Sequence, residues 1–171
     1  MRDTMTLTFV AILMGSDSDL PVMQSTIDIL KTFDIEHEVR VRSAHRTPDA
    51  AKAYVKDAEE RGCKVFICAA GLAAHLAGAV AGMTTRPVIG VPVDNGPLQG
   101  HDALLSTVMM PGGIPVATVA IGKAGAKNAG YLAAQILGVS DQSIADKVKA
   151  ERVANAKALL AKDEAMQAKL S

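Results

Sequence analysis

The chain has 171 residues, and its 18 basic and 18 acidic side chains cancel to a formal net charge of zero. One domain of this length can bury a sizeable core. A neutral chain with 3% aromatic residues has neither the basic surface nor the stacking platforms typical of nucleic-acid-binding proteins. No apolar run reaches the roughly 20 residues that span a bilayer. We therefore expect a cytoplasmic protein with no nucleic-acid or membrane partner.

Short apolar runs alternate with amphipathic segments along the chain, a pattern that favours a parallel sheet with helices on both faces. In chain order we predict a strand at Leu7–Met14, a helix at Leu20–Phe33, a strand at Glu38–Val41, a helix at Asp49–Arg61, a strand at Lys64–Ala69, a helix at Ala73–Ala81, a strand at Pro87–Val91, a helix at His101–Val108, a strand at Pro115–Ile121 and a helix at Ala124–Leu137. Thr47 is expected to cap the second helix, with Pro48 at its first position.

The segment Ser140–Leu170 is charged and carries only a sparse apolar stripe. A long helix that follows a completed sheet has little of its own domain left to cover, so we expect it to pack on a neighbouring subunit. A partly frayed surface helix is the alternative. We treat residues 1–171 as a single domain, with a core at about 8–138 and this helical tail at about 140–170.

Cys63 and Cys68 lie in one apolar run at an odd spacing. In a strand this spacing places two side chains on opposite faces, where they cannot easily form a disulfide. We interpret both as small buried hydrophobic residues. Without Cys and His partners at ligand spacing, the sequence does not indicate a zinc site.

A polar turn, Gly15–Asp19, directly follows the first predicted strand. Free amides at the start of the next helix favour a phosphate, and the Ser16 and Ser18 hydroxyls can donate to its oxygens. The Asp19 carboxylate suits sugar hydroxyls because it accepts two hydrogen bonds at once. The alternative is that Ser18 or Asp19 only caps the helix.

A second polar turn, Ser43–Pro48, follows the second predicted strand. The His45 imidazole can act as acid and base near neutral pH, and the Arg46 guanidinium can hold a phosphate or carboxylate. Taken singly, the two could be a capping histidine and a surface arginine. Open α/β sheets bind ligands at the carboxyl ends of their strands, so we predict that both turns form one site.

Other candidates leave alternatives open. His75 could border the same pocket or be a buried structural histidine in an apolar helix. The loops Asp94–Pro97 and Met109–Pro115 are dense in Gly and Pro, so they could cover a flat ligand or be no more than turns.

Six segments together resemble the aminoimidazole ribonucleotide carboxylase family in order and spacing: Gly15–Asp19, Ser43–Pro48, Ala70–Leu76, Gly90–Val93, Met110–Val116 and Ala120–Ala129. The resemblance covers about residues 8–160. Within the family the chain looks like the bacterial N5-carboxyaminoimidazole ribonucleotide mutases. Arg46 stands where the branch that uses free carbon dioxide usually has Lys, and that branch lacks Pro48.

The resemblance implies a flavodoxin-like three-layer fold with a five-stranded sheet and a long C-terminal helix, assembled as a homo-octamer. It implies an isomerase of purine biosynthesis that moves a carboxylate from an exocyclic amine to C4 of the ribonucleotide, with no metal or other cofactor. His45 falls on the proton-transfer residue. The residues that we expect to bind substrate are Ser16, Ser18, Asp19, Ser43, Arg46, Gly71, His75 and Leu76.

The chain departs from the family pattern at three positions beside the expected site. Leu72 replaces a commoner Gly, Ala77 a commoner Pro and Met109 a commoner Gln. These departures bear on loop contacts and rates more than on the reaction. A carboxylase that uses free carbon dioxide and a non-catalytic phosphoribosyl-ligand sensor are the competing hypotheses.

Overall fold

The computed structural model describes residues 8–170. Its elements are β1 (Phe9–Met14), α1 (Leu20–Thr32), β2 (His37–Val41), α2 (Pro48–Glu60), β3 (Cys63–Gly71), α3 (Leu76–Ala81), β4 (Val88–Val93), α4 (His101–Val108), β5 (Ala117–Thr118), α5 (Gly122–Gly138) and α6 (Gln142–Leu170). A single 3-10 turn, Asp17–Asp19, joins β1 to α1. Leu7, the predicted start of the first strand, lies outside the described residues.

The five strands form one parallel sheet in the order β2-β1-β3-β4-β5. This order confirms the predicted flavodoxin-like α/β fold. β1 and β4 are buried along their whole length, as expected for parallel strands covered on both faces. The strand order reverses direction between β1 and β3, and ligands of open α/β sheets bind beside such a reversal.

Helices cover both faces of the sheet. On one face, α2 and α3 contribute Tyr54, Val55 and Val80 to a buried cluster with residues of β1 and β3. On the other face α1 lies against the first part of α5, where the Thr26 hydroxyl donates to the Ala126 carbonyl at 2.6 Å. The two helices approach closely because Gly130 has no side chain; a Cβ there would stand 2.8 Å from the Cβ of Ile29.

Two predicted elements are shorter than expected. α3 begins at Leu76 instead of Ala73. The backbone forms a tight turn here, in which Leu72 is left-handed (φ 56°) and the Ala74 N–H donates to the Leu72 carbonyl at 2.9 Å. β5 comprises only Ala117–Thr118 of the predicted Pro115–Ile121. Pro115 has no N–H to contribute to a ladder, so the strand at this edge starts late.

The prediction that Cys63 and Cys68 point to opposite faces is wrong, since both belong to the same core cluster. The pairing between β1 and β3 shifts at this point: Phe9 pairs with Cys63, whereas Val10 pairs with Val65. The extra residue is a β-bulge, which resets the alternation of side chains along β3. Both thiols are free and buried, and burial raises the pKa of Cys63 to about 11.

The chain divides into two compact units, of which the first ends at Ala133 and the second begins at Ala134. The second unit contains the end of α5, a short turn and α6. Asp141 caps α6, because its carboxylate accepts from the backbone N–H groups of Ser143 at 3.0 Å and Ile144 at 3.2 Å. Among the described residues, no helix is long and apolar enough to cross a membrane.

Candidate active site

The turns that follow β1, β2, β3 and β4 line a cleft of about 490 Å³ at the carboxyl edge of the sheet. All nine residues predicted for the site lie in its wall: Ser16, Ser18, Asp19, Ser43, His45, Arg46, Gly71, His75 and Leu76. The remaining lining residues are Gly15, Ala44, Ala70, Leu72, Ala73 and Asn95. The fold therefore brings together side chains from four separate turns.

The first turn is held by a capping box around the 3-10 turn. The Ser16 hydroxyl accepts from the Ser18 N–H at 3.3 Å, and the Asp19 carboxylate accepts from the Ser16 N–H at 3.1 Å. Asp19 occupies the N-cap position of α1 but makes no side-chain capping bond there, and the Ser18 hydroxyl donates to the Ser16 hydroxyl at 2.9 Å. Neither residue therefore serves only as a cap of α1. The polar side chains instead stabilise the turn that faces the cleft.

Asp19 is a buried carboxylate, with 1% of the residue exposed. Its second oxygen accepts from the Asn95 side-chain amide at 3.2 Å. Burial raises the pKa of Asp19, while backbone N–H groups of Ser16 and Gly15 and the charge of Arg46 partly oppose the increase. Donors from two different loops thus hold the carboxylate in one orientation.

The second turn is closed by its own hydroxyl groups. The Ser43 hydroxyl accepts from the Arg46 N–H at 3.1 Å. Thr47 is the N-cap residue of α2 and Pro48 follows at its first position, as predicted, but the Thr47 side chain makes no capping hydrogen bond to the helix. Its hydroxyl accepts from the Ser43 N–H at 3.0 Å and donates to the Ser43 carbonyl at 3.1 Å. These bonds close the turn, whose His45 and Arg46 line the cleft.

Arg46 connects the first and second turns. Its guanidinium donates to the Gly15 carbonyl at 2.7 Å. A guanidinium has five N–H donors in a planar fork, so this bond leaves donors for an anion. Arg46 lines the cleft together with Ser16 and Ser18, and a guanidinium and hydroxyl groups are chemically suited to bind an anion.

His45 and His75 are in contact in the wall of the cleft. Nε2 of His45 lies 3.3 Å from Nδ1 of His75, and the ring centroids are 5.2 Å apart. His75 is exposed, so the alternative of a buried structural histidine is wrong. In a neutral pair, one of the two facing nitrogens must carry the proton and the other must accept it, so the two tautomers are coupled.

Asn95 is the polar lining residue that sequence reasoning missed. For the Asp94–Pro97 loop we predicted either a cover for a flat ligand or no more than a turn, and did not name Asn95. Its position after the fourth strand, at the edge where the two polar turns lie, was the available signal. The Met109–Pro115 loop does not line this cleft; Gly113, Ile114 and Pro115 border a different cavity, beside the start of β4.

The chain resembles members of one protein family in both sequence and structure. A family model described as AIR carboxylase matches residues 9–158. The N5-carboxyaminoimidazole ribonucleotide mutase of Thermotoga maritima is 59% identical over 140 residues, which cover 82% of this chain and 81% of that protein. The mutase of Mycobacterium tuberculosis is 52% identical over 158 residues, covering 92% and 90%. The crystal structure of Treponema denticola PurE matches with a TM-score of 0.83 and 35% identity, covering 92% and 97%.

Proposed function

The chain belongs to the aminoimidazole ribonucleotide carboxylase family, and we propose that it interconverts N5-carboxyaminoimidazole ribonucleotide and 4-carboxy-5-aminoimidazole ribonucleotide in purine biosynthesis. The family model matches residues 9–158, and relatives with 52–59% identity share the mutase name. The prediction of an isomerase of the mutase branch is thereby confirmed. The observation that carries the proposal is the cleft where an imidazole, a guanidinium and a buried carboxylate converge.

The substrate is proposed to lie along the cleft with its phosphate between the first two turns. Arg46, Ser16 and Ser18 supply cationic and hydroxyl donors at that end. The buried Asp19 carboxylate is proposed to accept from the ribose hydroxyls. The aminoimidazole then lies towards His45, and Gly71, His75 and Leu76 also line the cleft.

His45 is the proposed proton carrier. In its acid form it protonates the carbamate nitrogen; the C–N bond then breaks and releases carbon dioxide and aminoimidazole ribonucleotide. C4 of the imidazole attacks the confined carbon dioxide and forms the new C–C bond. The neutral His45 removes the C4 proton and returns to its starting state, so the reaction is a net isomerisation. Confinement makes the recapture effectively intramolecular.

The test compares two substrates on purified protein. We expect rapid formation of the 4-carboxy product from the N5-carboxy substrate, and slow formation from aminoimidazole ribonucleotide plus bicarbonate. Equal or faster turnover of the second pair would show a carboxylase. Nucleotide binding without either reaction would show a sensor.

His45→Asn is expected to abolish turnover while leaving nucleotide binding by calorimetry within about threefold, because the variant loses a proton carrier and keeps the phosphate donors. His101→Asn is the matched control, since His101 is exposed on α4 and does not line the cleft. Near-normal turnover of His45→Asn would contradict the role assigned to His45.

We further propose that the enzyme works as a cytoplasmic homo-octamer without a cofactor, and that the C-terminal helix packs on a neighbouring subunit. Two separate surfaces support this assembly. α6 exposes Leu159 and Leu160, and the region around α4 exposes Leu105 and Met109. Exposed apolar side chains in such groups are typical of subunit contacts. Light scattering should give eight times the 17.8 kDa of the chain; a monomer would contradict the proposal.

A further inference from the structure

The turn after β3 and the loop after β4 interlock at two adjacent positions. Gly71 leaves room for the side chain of Asn95: a Cβ on Gly71 would lie 1.7 Å from the Asn95 Oδ1. Gly96 leaves room for the side chain of Leu72: a Cβ on Gly96 would lie 2.5 Å from the Leu72 Cδ2. Each segment thus contributes one glycine and receives one side chain from the other.

Leu72 occupies this position at a conformational cost. Its φ of 56° is in the left-handed region, which L-residues with a Cβ rarely adopt. The residue is 52% exposed, so its burial contributes only part of what a core leucine would contribute. A strained, half-exposed leucine beside a cleft suggests that its side chain has a role in shaping the site.

We propose that Leu72 is a positioning residue that acts through Asn95. By lying against Gly96, the Leu72 side chain holds the loop after β4 on the turn after β3. The Asn95 amide is thereby kept within 3.2 Å of the Asp19 carboxylate. This contact orients the carboxylate that faces the substrate, so Leu72 determines how tightly the ribonucleotide binds.

The inference rests on the proposed function for its main assay, and a double-mutant cycle tests it. Leu72→Ala and Asn95→Ala should each raise KM about fivefold, since both release the Asp19 carboxylate. The double variant should raise KM no further than Asn95→Ala alone. kcat should stay within about twofold, because the His45–His75 pair is not touched. Leu72→Met should restore KM, since its side chain can still reach Gly96.

A second variant perturbs the interlock from the other side. The methyl group of Gly96→Ala would displace the flexible end of Leu72 without removing it. We expect the same rise in KM, about fivefold, in the wild-type background and less than about twofold in the Leu72→Ala background. Additive effects of Leu72→Ala and Asn95→Ala on KM would overturn the proposal, because Leu72 would then act on the substrate directly.

A failure of the proposed function can be distinguished from a failure of the interlock. If the wild-type protein turned over neither substrate, the mutase proposal would fail, while the interlock could still be measured by thermal unfolding. In that case Leu72→Ala should lower the unfolding midpoint more in the wild-type background than in the Asn95→Ala background, because the Asn95–Asp19 hydrogen bond is already absent in the second. Equal decreases in both backgrounds would overturn the interlock as well.

Discussion

Asp19→Asn replaces the buried carboxylate of the site with an amide of the same shape. The wild-type carboxylate accepts two hydrogen bonds, at 3.1 Å from the Ser16 N–H and at 3.2 Å from the Asn95 amide. An asparagine amide accepts through one oxygen only. Its NH₂ group must therefore face one of these two donors, so the wild-type pair of hydrogen bonds is lost: either a donor–donor contact forms or the Asn95 amide turns over to present its oxygen.

Two opposing contributions set the change in the free energy of unfolding that we expect for Asp19→Asn. A hydrogen bond to a charged group contributes about 1.5–3 kcal/mol. The variant recovers part of this loss because it no longer buries a charge, a cost that the raised pKa of Asp19 reflects. We expect a net decrease of about 1–2 kcal/mol in the free energy of unfolding at pH 7, which lowers Tm by about 3–6 °C for a chain of this size.

The contribution of Asp19 to the stability of the fold should change with pH in one direction. The pKa of Asp19 in the folded protein lies above its ordinary value of 3.8. The folded state therefore binds the proton more tightly than the unfolded state, and stability from this group is fully present below pH 3.8 and lost as pH rises through the raised pKa. The stability difference between wild type and Asp19→Asn should thus grow as pH falls, since the variant has no proton to bind.

Urea unfolding at one protein concentration, from pH 7.5 to the lowest pH at which the fold persists, measures this difference. Asp17→Asn is the matched control: its carboxylate is exposed and accepts from the Ser16 hydroxyl, so we expect a change below about 0.5 kcal/mol at every pH. A difference between wild type and Asp19→Asn that stays constant or shrinks on acidification would refute the reasoning.

Three further substitutions test separate contacts. Arg46→Ala should weaken nucleotide binding about tenfold or more by calorimetry, because it removes an anion donor and the bond to the Gly15 carbonyl; unchanged affinity would contradict the phosphate site. Tyr54→Phe removes a phenol that donates to a carboxylate at 2.9 Å and should cost about 1 kcal/mol in urea unfolding. Gly90→Ala should cost about 1–3 kcal/mol, because a Cβ there would lie 2.4 Å from the Thr107 Cγ2; a neutral change would show that the α4–β4 contact can relax.

Local patterns in the sequence determined the architecture. Buried strands appear as apolar runs and surface helices as amphipathic runs, and both patterns are readable over a few residues. Predictions of this kind located α4 at His101–Val108 without error and placed the two polar turns at the ends of β1 and β2. Because parallel strands end at one edge of a sheet, the convergence of Asp19 and His45 on one cleft was predictable as well.

Other features depend on contacts between residues that are distant in the sequence, and only the tertiary structure decided them. The bulge that places Cys63 and Cys68 in one cluster arises from pairing between β1 and β3, which no local pattern reveals. The side chain of the left-handed Leu72 fits in its observed position only because Gly96, which is distant in the sequence, has no side chain. Asn95 reaches Asp19 across 76 positions of the sequence. The sequence alone identified the two polar turns of the site, whereas packing between turns added the one that carries Asn95 and decided how the Asp19 carboxylate is held.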